Sequence, residues 1–544
     1  MIASVLATGL ALRAPPPRMA AGSASVVFVV PNQAATSASP FGATSPEPNP
    51  TWHAVGSHLS SRLSSFDKRV VGSVLSEDEL IASGSTSSAD IIIALGLSAA
   101  AAAPLSVLAG QESLAALVSY DCASEVGALT KVGAYTQNAQ GVDAALQQVQ
   151  TTVAPWAAVA RGERLCEQAS MLLSRHSSED LLYSLFFMVH GLGIAELDLV
   201  KHTVNPTWEK GPVRNAAEFA SMCTKCADKI GPALNDPETK ATIDLLNACD
   251  MRDQVGSYRV IVSYETPQLE EFSLCILQQN NCFGCDATII DEPRVPLLQA
   301  WRGSPVSEAA ARQIAIGHYD CDQAHPEAAQ RLPWSWKIVC GANPAYDAFP
   351  AQHQIFYPSD KSSKTLWYDP VFKVETLDGQ QVWTKRHYRC SPRTVAPELA
   401  VLPSGDSHGA WTLSTLDNGV VSKEHWTTVD AADDLSWAVF HYSGAAAVVG
   451  QSYLGGLLCS ADGEWPAAAR SGPEYERIRT AFAKCDIELW ELYGHGPAEE
   501  GTSFMWTAEH AAWEAANPPP LDPIGDQSVQ AWRKSEKEKL ALQA

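Results

Sequence analysis

The chain has 544 residues, 46% of them hydrophobic, so it can bury an apolar core and is long enough for about two or three domains. Its 61 acidic residues outnumber its 38 basic ones, and the formal charge of −23 argues against a nucleic-acid-binding role, since phosphates need compensating Lys and Arg. The sequence pI of about 5.0 predicts that the chain loses its net charge and its self-repulsion in an acidic compartment.

Residues 1–88 are predicted to be a targeting or disordered segment. Residues 1–46 contain no Asp or Glu and are rich in Ala, Ser and Pro. The apolar opening is typical of a signal peptide, and the stretch with Arg and Pro after it is typical of a transit peptide. A signal followed by a transit segment suits import into a plastid with additional membranes. A disordered tail is the alternative interpretation.

Residues 89–220 are predicted to be a helical region. The run 91–110 contains no charged residue, and at about 1.5 Å per residue it is long enough to cross a bilayer. Three interpretations of this run stay open: a cleaved thylakoid-transfer signal, a membrane span and a buried Ala-rich helix. Further along, Leu181, Leu182 and Leu185 recur at helical spacing, which indicates packed helices.

Residues 221–294 are predicted to be a cysteine-rich helical domain. Two Cys-x-x-Cys pairs in it could close a tetrahedral zinc site, while disulfides and plain thiols are the alternatives. Disulfides imply an oxidising compartment. The candidate cysteines are Cys223, Cys226, Cys249, Cys275, Cys282 and Cys285.

Residues 295–470 show the alternation of antiparallel strands. Asp378-Gly379 and Asn418-Gly419 separate alternating runs, and both pairs are strong hairpin signals because their residues accept positive φ. Successive hairpins with aromatic strands predict an up-and-down barrel, which can hold one elongated apolar ligand. Residues 471–544 are predicted to be a helical tail. The fold class is therefore α+β: a helical, cysteine-containing N-terminal region, an antiparallel barrel and a C-terminal helical tail.

The stretch 334–357 opens this barrel and presents one acid. Alternation around Trp336 predicts a strand, which Asn343-Pro344 then ends because Pro cannot donate to the sheet. Asp347 follows among aromatic residues, where lost solvation would raise its pKa. A carboxylic acid that keeps its proton can act as a general acid.

This stretch resembles the violaxanthin de-epoxidase family, and more closely its violaxanthin de-epoxidase-related branch, in its Trp, its Gly-x-Asn-Pro turn, its aromatic residue and its Asp. The segments 366–372, 416–421 and 440–444 match in the same order, and the resemblance covers roughly residues 220–490. It implies a lipocalin-like barrel that binds a xanthophyll and opens a 5,6-epoxide reductively with ascorbate as co-substrate. It also favours disulfides over zinc, and no metal is expected.

The resemblance assigns roles to residues of the predicted barrel. Asp347 is the expected general acid, Glu424 the second acid and Tyr442 a hydrogen-bonding partner of substrate or reductant. Each also has a structural interpretation: a turn-capping Asp, an exposed strand Glu and a barrel-lining Tyr. Gln354 stands where de-epoxidases have a histidine, so that pH switch is absent here. The expected substrate-binding residues are Trp336, Tyr346, Gln352, Gln354 and Trp426.

The resemblance, together with the targeting signals, implies a plastid xanthophyll-cycle enzyme in the thylakoid lumen or on the thylakoid membrane surface. Its expected partners are a xanthophyll and the lipid surface but no nucleic acid, with a homodimer at acid pH as an option. Two alternatives stay open: a tautomerase that rearranges the epoxide without reductant, and a non-catalytic carotenoid or lipid carrier. Assays with and without ascorbate distinguish them.

Overall fold

The computed structural model describes residues 23–525 apart from 33–37, 43–44, 85, 87, 137–152, 202–215, 250–251, 322–329, 344–348, 360–361, 396–407 and 497–502. The chain divides into two units, one within Met1–Gly42 and Asn49–Ala220 and the other within Ala43–Pro48 and Ser221–Ala544. Each unit has its own sheet.

The first unit contains a six-stranded sheet in the order β2-β1-β3-β4-β5-β6. The first four of these run parallel, and β5 and β6 are antiparallel to their neighbours. Every residue of β3 is buried, which explains its unbroken apolar sequence, because a parallel strand covered on both faces has no polar face. The strands are β1 (Ala24–Val30), β2 (Val70–Ser76), β3 (Ile91–Leu95), β4 (Ala116–Tyr120), β5 (Lys131–Val132) and β6 (Tyr135–Thr136).

Helices connect and flank these strands, and side chains fix where several of them begin. Thr51 accepts a hydrogen bond from the backbone of Ala54, and Ser76 and Glu79 form a reciprocal capping box. The helices of this unit are Trp52–Phe66, Glu77–Ser83, Ala102–Ala109, Ser124–Gly127, Val153–Leu173, Ser178–Gly191 and Asp198–Lys201.

This unit differs from the sequence-based expectation. Because β1 begins at Ala24, the predicted targeting or disordered segment does not extend to residue 88; its first 22 residues lie outside the described part. The run 91–110 is divided between β3 and the helix Ala102–Ala109, so it is not a single helix. Gly96 lies between them at φ 63°, a conformation that favours glycine. Among the described residues, the structure contains no helix long and apolar enough to span a membrane.

The second unit begins with helices that one disulfide holds together. Cys226 precedes Ala227–Asn235 and is bonded to Cys275 in a π-helix, across a sequence separation of 49. Phe272 and Ile276 pack in the same small apolar cluster. The helices here are Ala216–Lys225, Ala227–Asn235, Pro237–Ala248, Gln254–Tyr264 and Pro267–Ser273, followed by the π-helix Leu274–Gln279.

The disulfide prediction is confirmed for this pair and is wrong as a pairing of all six candidates. Cys223 and Cys282 are thiols. The Cys285 thiol donates to the carbonyl of Phe283, and Cys249 directly follows the helix Pro237–Ala248. No group of three or more His, Cys, Asp or Glu side chains in the described part of the chain could hold a metal ion.

An antiparallel barrel of eight strands follows. It closes because β9 pairs with β17, and β10 pairs with both β9 and β11. Asn418 and Gly419 form one hairpin turn with φ of 47° and 77°, as their sequence predicts. The barrel strands are β9 (Trp336–Gly341), β10 (His353–Ser359), β11 (Ser362–Glu375), β13 (Tyr388–Pro392), β14 (Ala410–Asp417), β15 (Val420–Ala431), β16 (Trp437–Ala446) and β17 (Gln451–Ser460).

Further elements pack on the barrel from outside. Strand β12 (Gln381–Lys385) pairs with the far part of β11, and β7 (Ala300–Trp301) forms a separate hairpin with β8 (Ser304–Pro305). The helix Glu308–Ile316 packs against the barrel interior through Ile314, and Gly472–Ala483 covers part of the outer face through Ile478. A helix at Ala508–Ala516 follows in the tail, so the lipocalin-like α+β fold class is confirmed.

Candidate functional site

Strand alternation directs one face of β15 and β16 into the barrel. Trp426 lies opposite Tyr442 in the β15–β16 pairing, and Tyr442 lies opposite Gly455 in the β16–β17 pairing. The rings of Trp426 and Tyr442 are stacked with centroids 5.7 Å apart. Both residues belong to the buried interior cluster. Glu424 is two residues before Trp426 and therefore shares its face.

Glu424 is a buried acid with both carboxyl oxygens hydrogen-bonded. Its Oε2 accepts from Trp426 Nε1 at 2.6 Å, and its Oε1 accepts from the Tyr453 hydroxyl at 2.8 Å. The side chain is only 6% exposed, and this burial raises the pKa of the Glu424 carboxyl, although the two hydrogen bonds partly oppose the shift. Glu424 therefore keeps its proton at pH values where exposed carboxylates have lost theirs, which contradicts the exposed-strand interpretation.

Aromatic rings extend from Trp426 across the interior. Phe356 and Tyr368 are stacked with centroids 4.4 Å apart, and Tyr368 lies 5.3 Å from Trp426. The Tyr368 hydroxyl donates to Gln354 Oε1. Gln354 is 1% exposed, and its Nε2 has no acceptor among the described residues. The interior thus combines apolar surface with a buried amide donor that a polar ligand atom could satisfy.

Two other predicted substrate-binding residues make structural contacts. Trp336 Nε1 donates to the carbonyl of Ile314 at 3.0 Å, which fixes this indole against the helix Glu308–Ile316. Gln352 Nε2 donates to the carbonyl of Phe349 at 2.9 Å. Both side chains are fully buried. These two hydrogen bonds hold the side chains of Trp336 and Gln352 in place within the fold.

Asp347 and Tyr346 lie outside the described residues. The chain before them is described up to Asn343, which is 1% exposed. A Cβ placed on Gly455 would lie 3.0 Å from the Cβ of Asn343 and 2.5 Å from the Tyr442 hydroxyl. Asn343, the last described residue before Tyr346 and Asp347, therefore lies close to Gly455 and Tyr442.

Sequence reasoning missed two interior residues. Tyr453 holds Glu424, and its position two residues before Gly455 on β17 was the available signal. Trp411 lies opposite Trp426 on β14, and its Nε1 is buried with no acceptor among the described residues. For Trp411, only the strand pairing reveals its place opposite Trp426.

His353 directly precedes Gln354, the residue that stands where de-epoxidases have a histidine, and its side chain points away from the barrel interior. His353 packs edge-on against Trp334 and Trp506, and its Nε2 lies 3.2 Å from Glu514 Oε1. Burial lowers its pKa. The outward direction of this side chain is the one expected from strand alternation next to Gln354.

Comparison with known families identifies the fold. The model of the VDE lipocalin domain matches residues 218–491, just over half of the chain. The chain belongs to the violaxanthin de-epoxidase (VDE) lipocalin domain family. The VDE lipocalin domain includes the Cys226–Cys275 bridge, the barrel and Glu424 with both of its hydrogen-bond donors.

Two solved structures resemble this VDE lipocalin chain weakly. Lobster apocrustacyanin A1 is 12% identical with a TM-score of 0.19, and the match covers 29% of this chain and 72% of that one. Apocrustacyanin C1 is 11% identical with a TM-score of 0.19, and the match covers 30% of this chain and 75% of that one. None of the curated proteins gives a significant match. Neither similarity bears on what this chain binds.

Proposed function

We propose that this chain is a VDE-type enzyme that reductively opens a xanthophyll 5,6-epoxide inside the barrel. The observation that carries the proposal is Glu424, a buried acid whose pKa is raised and which shares the barrel interior with Trp426 and Tyr442. Membership of the VDE lipocalin domain family supports the choice of substrate and reaction. An apolar interior suits a carotenoid ring, and a protonated acid suits the epoxide oxygen.

The reaction removes the epoxide oxygen as water and leaves a carbon–carbon double bond. This takes two protons and two electrons per epoxide, by atom balance. Ascorbate, which the family implies as co-substrate, supplies the electrons when bound and becomes dehydroascorbate. Glu424 supplies one proton to the departing oxygen, while Trp426 and Tyr453 hold its carboxyl group in place.

Polar atoms of the interior fit a hydroxyl-rich co-substrate. Gln354 Nε2 and Trp411 Nε1 are buried donors with no acceptor among the described residues. An enediol with several hydroxyl oxygens could accept from them, which would remove the cost of burying unpaired donors. We assign both residues to ligand binding on this ground, and Trp336 and Gln352 to supporting the interior.

Asp347 completes the proposal as a second acid. Asn343, the last described residue before it, lies next to Gly455 and Tyr442. With Glu424, Asp347 would deliver the two protons to the epoxide oxygen, and protons that ascorbate releases on oxidation, together with protons from solvent, would restore both acids. Tyr346, the neighbour of Asp347, would contact the substrate. Tyr442, which is stacked on Trp426, would hydrogen-bond the substrate or reductant.

We further propose that the protein works in the thylakoid lumen of a plastid. The Cys226–Cys275 disulfide supports an oxidising compartment. The formal charge of −23 supports association with a lipid surface, or with a second copy, once acid neutralises the carboxylates. Sedimentation of the chain against pH, with and without lipid vesicles, tests both kinds of association.

The test of the reaction uses the purified full chain with violaxanthin in lipid micelles at about pH 5, with and without ascorbate. We expect de-epoxidised product only with ascorbate, and one dehydroascorbate per epoxide removed. Isomerised product without ascorbate would show a tautomerase. Bound but unchanged violaxanthin under both conditions would show a carrier.

A further inference from the structure

The outer face of β15 and β16 has an apolar half and a polar half. Val429 and Val439 pack against the helix Gly472–Ala483 in one apolar cluster. Further along the same face, His441 and Ser443 are 6% and 5% exposed, although both are polar. The polar half of this face therefore presents hydrogen-bonding groups beside the apolar half.

A cavity of about 260 Å³ lies over this polar half. His425 and Thr427 of β15 form its floor with His441 and Ser443, which lie opposite them in the strand pairing. Its walls come from residues 290, 291, 293–295 and 393–395. The cavity is separate from the barrel interior, because His425 and Glu424 are consecutive residues of one strand and point to opposite faces.

Arg393 brings an incompletely paired positive charge to this cavity. Its guanidinium donates to Thr427 Oγ1 at 3.5 Å, a long hydrogen bond, while its Nε is buried with no acceptor among the described residues. Burial lowers the pKa of Arg393, and Asp291 opposes that shift. The Asp291 carboxylate is 83% exposed and its Oδ1 lies 3.9 Å from His425 Nδ1, so it is largely solvated.

We propose that this cavity is a binding site for a small oxyanion, a carboxylate or phosphate group held by Arg393 and His425. An oxyanion is the ligand that satisfies a guanidinium, an imidazolium and hydroxyl donors together. The volume suits a small anion and is below that of sites for drug-sized ligands. This site is independent of the proposed epoxide chemistry.

Binding at this site should depend on pH. The charged groups facing His425 are Arg393, Arg294 and Asp291, and His441 lies on the neighbouring strand. Burial and then the charge of Arg393 lower the pKa of His425, so this imidazole is neutral near pH 7. Protonation at lower pH adds a second positive charge, and a bound anion favours that protonation. The affinity for an oxyanion whose own charge stays constant should therefore rise as pH falls.

The experiment is calorimetric titration of the full chain with inorganic sulfate, which stays a dianion over this range, and with inorganic phosphate, at constant ionic strength set by chloride, at about pH 7 and pH 5.5. We expect saturable binding of at least one oxyanion, and sulfate should bind more tightly at the lower pH. Arg393→Gln should weaken it about tenfold or more. Arg389→Gln, at an exposed Arg of β13 outside the cavity, is the matched control and should leave the affinity unchanged.

Asp291→Asn is a second variant for the case that Arg393→Gln misfolds, and it should fold normally because Asp291 is exposed. Since it removes a negative charge beside His425, it should tighten oxyanion binding about two- to fivefold. The proposal is overturned if neither oxyanion binds better than chloride. It is equally overturned if Arg389→Gln loses as much affinity as Arg393→Gln, or if sulfate binding weakens at the lower pH.

Discussion

Removing the Cys226–Cys275 disulfide should loosen the helices before the barrel. The bridge spans 49 residues, and closing a loop of that length removes about 4 kcal/mol of chain entropy from the unfolded state. The apolar cluster around it is small, with Phe272 and Ile276 as its largest buried members, so little else compensates. We expect Cys226→Ala/Cys275→Ala to lower the local free energy of opening by most of that amount.

Hydrogen exchange of the helices Ala227–Asn235 and Pro237–Ala248 is the appropriate assay, because a chain with two units has no single free energy of unfolding. About 4 kcal/mol corresponds to exchange roughly a thousandfold faster. Cys223→Ala/Cys282→Ala is the matched control, since it removes two thiols from the same region and keeps the bridge. The loop-closure reasoning would be refuted if the exchange rate of the variant without the bridge were within about threefold of the wild-type rate. It would also be refuted if the control variant changed the exchange rate by the same factor.

Two further predictions concern the barrel interior. Glu424 has its pKa raised above the ordinary value of 4.5 by burial, so the folded state holds its proton more tightly than the unfolded state. Wild-type stability relative to Glu424→Gln should therefore be greatest below about pH 4 and fall as pH rises through the folded-state pKa. Hydrogen exchange of β15 and β16, corrected for the intrinsic rate at each pH, measures this difference, and a constant difference would show that Glu424 is solvated. Gly455→Ala should cost about 1–3 kcal/mol, because its Cβ would lie 2.5 Å from the Tyr442 hydroxyl. Gly231→Ala is the control, because a Cβ added at Gly231 would have no atom within 4 Å. Equal stability of the two variants would contradict the close approach of Tyr442 to Gly455.

The barrel was predictable because its signals are local. Asp378-Gly379 and Asn418-Gly419 mark hairpins by their own conformational preferences, and the aromatic strands between such turns alternate with the period of a half-buried strand. The direction of Trp426 and Glu424 into one interior follows from the same alternation. These features need no knowledge of distant contacts.

The parallel sheet of the first unit was not predictable in the same way. β1 contains the apolar run Val26–Val30 and β3 is apolar throughout, and periodicity cannot separate such a run from a buried helix or a targeting segment. Tyr453 was missed for a different reason: its contact with Glu424 depends on the register of two strands that are not neighbours in the barrel. The cysteine pairing likewise depends on how the helices pack.

The most direct test of the central claim compares wild type with Glu424→Gln in single-turnover conversion of bound violaxanthin with ascorbate. Glu464→Gln is the matched control, because burial also raises the pKa of Glu464, which lies after β17. If Glu424 is the proton donor, its Gln variant should bind violaxanthin as tightly as wild type and convert it about 10²–10⁴ times more slowly, while the control converts it normally. Conversion by Glu424→Gln at the wild-type rate would contradict the account.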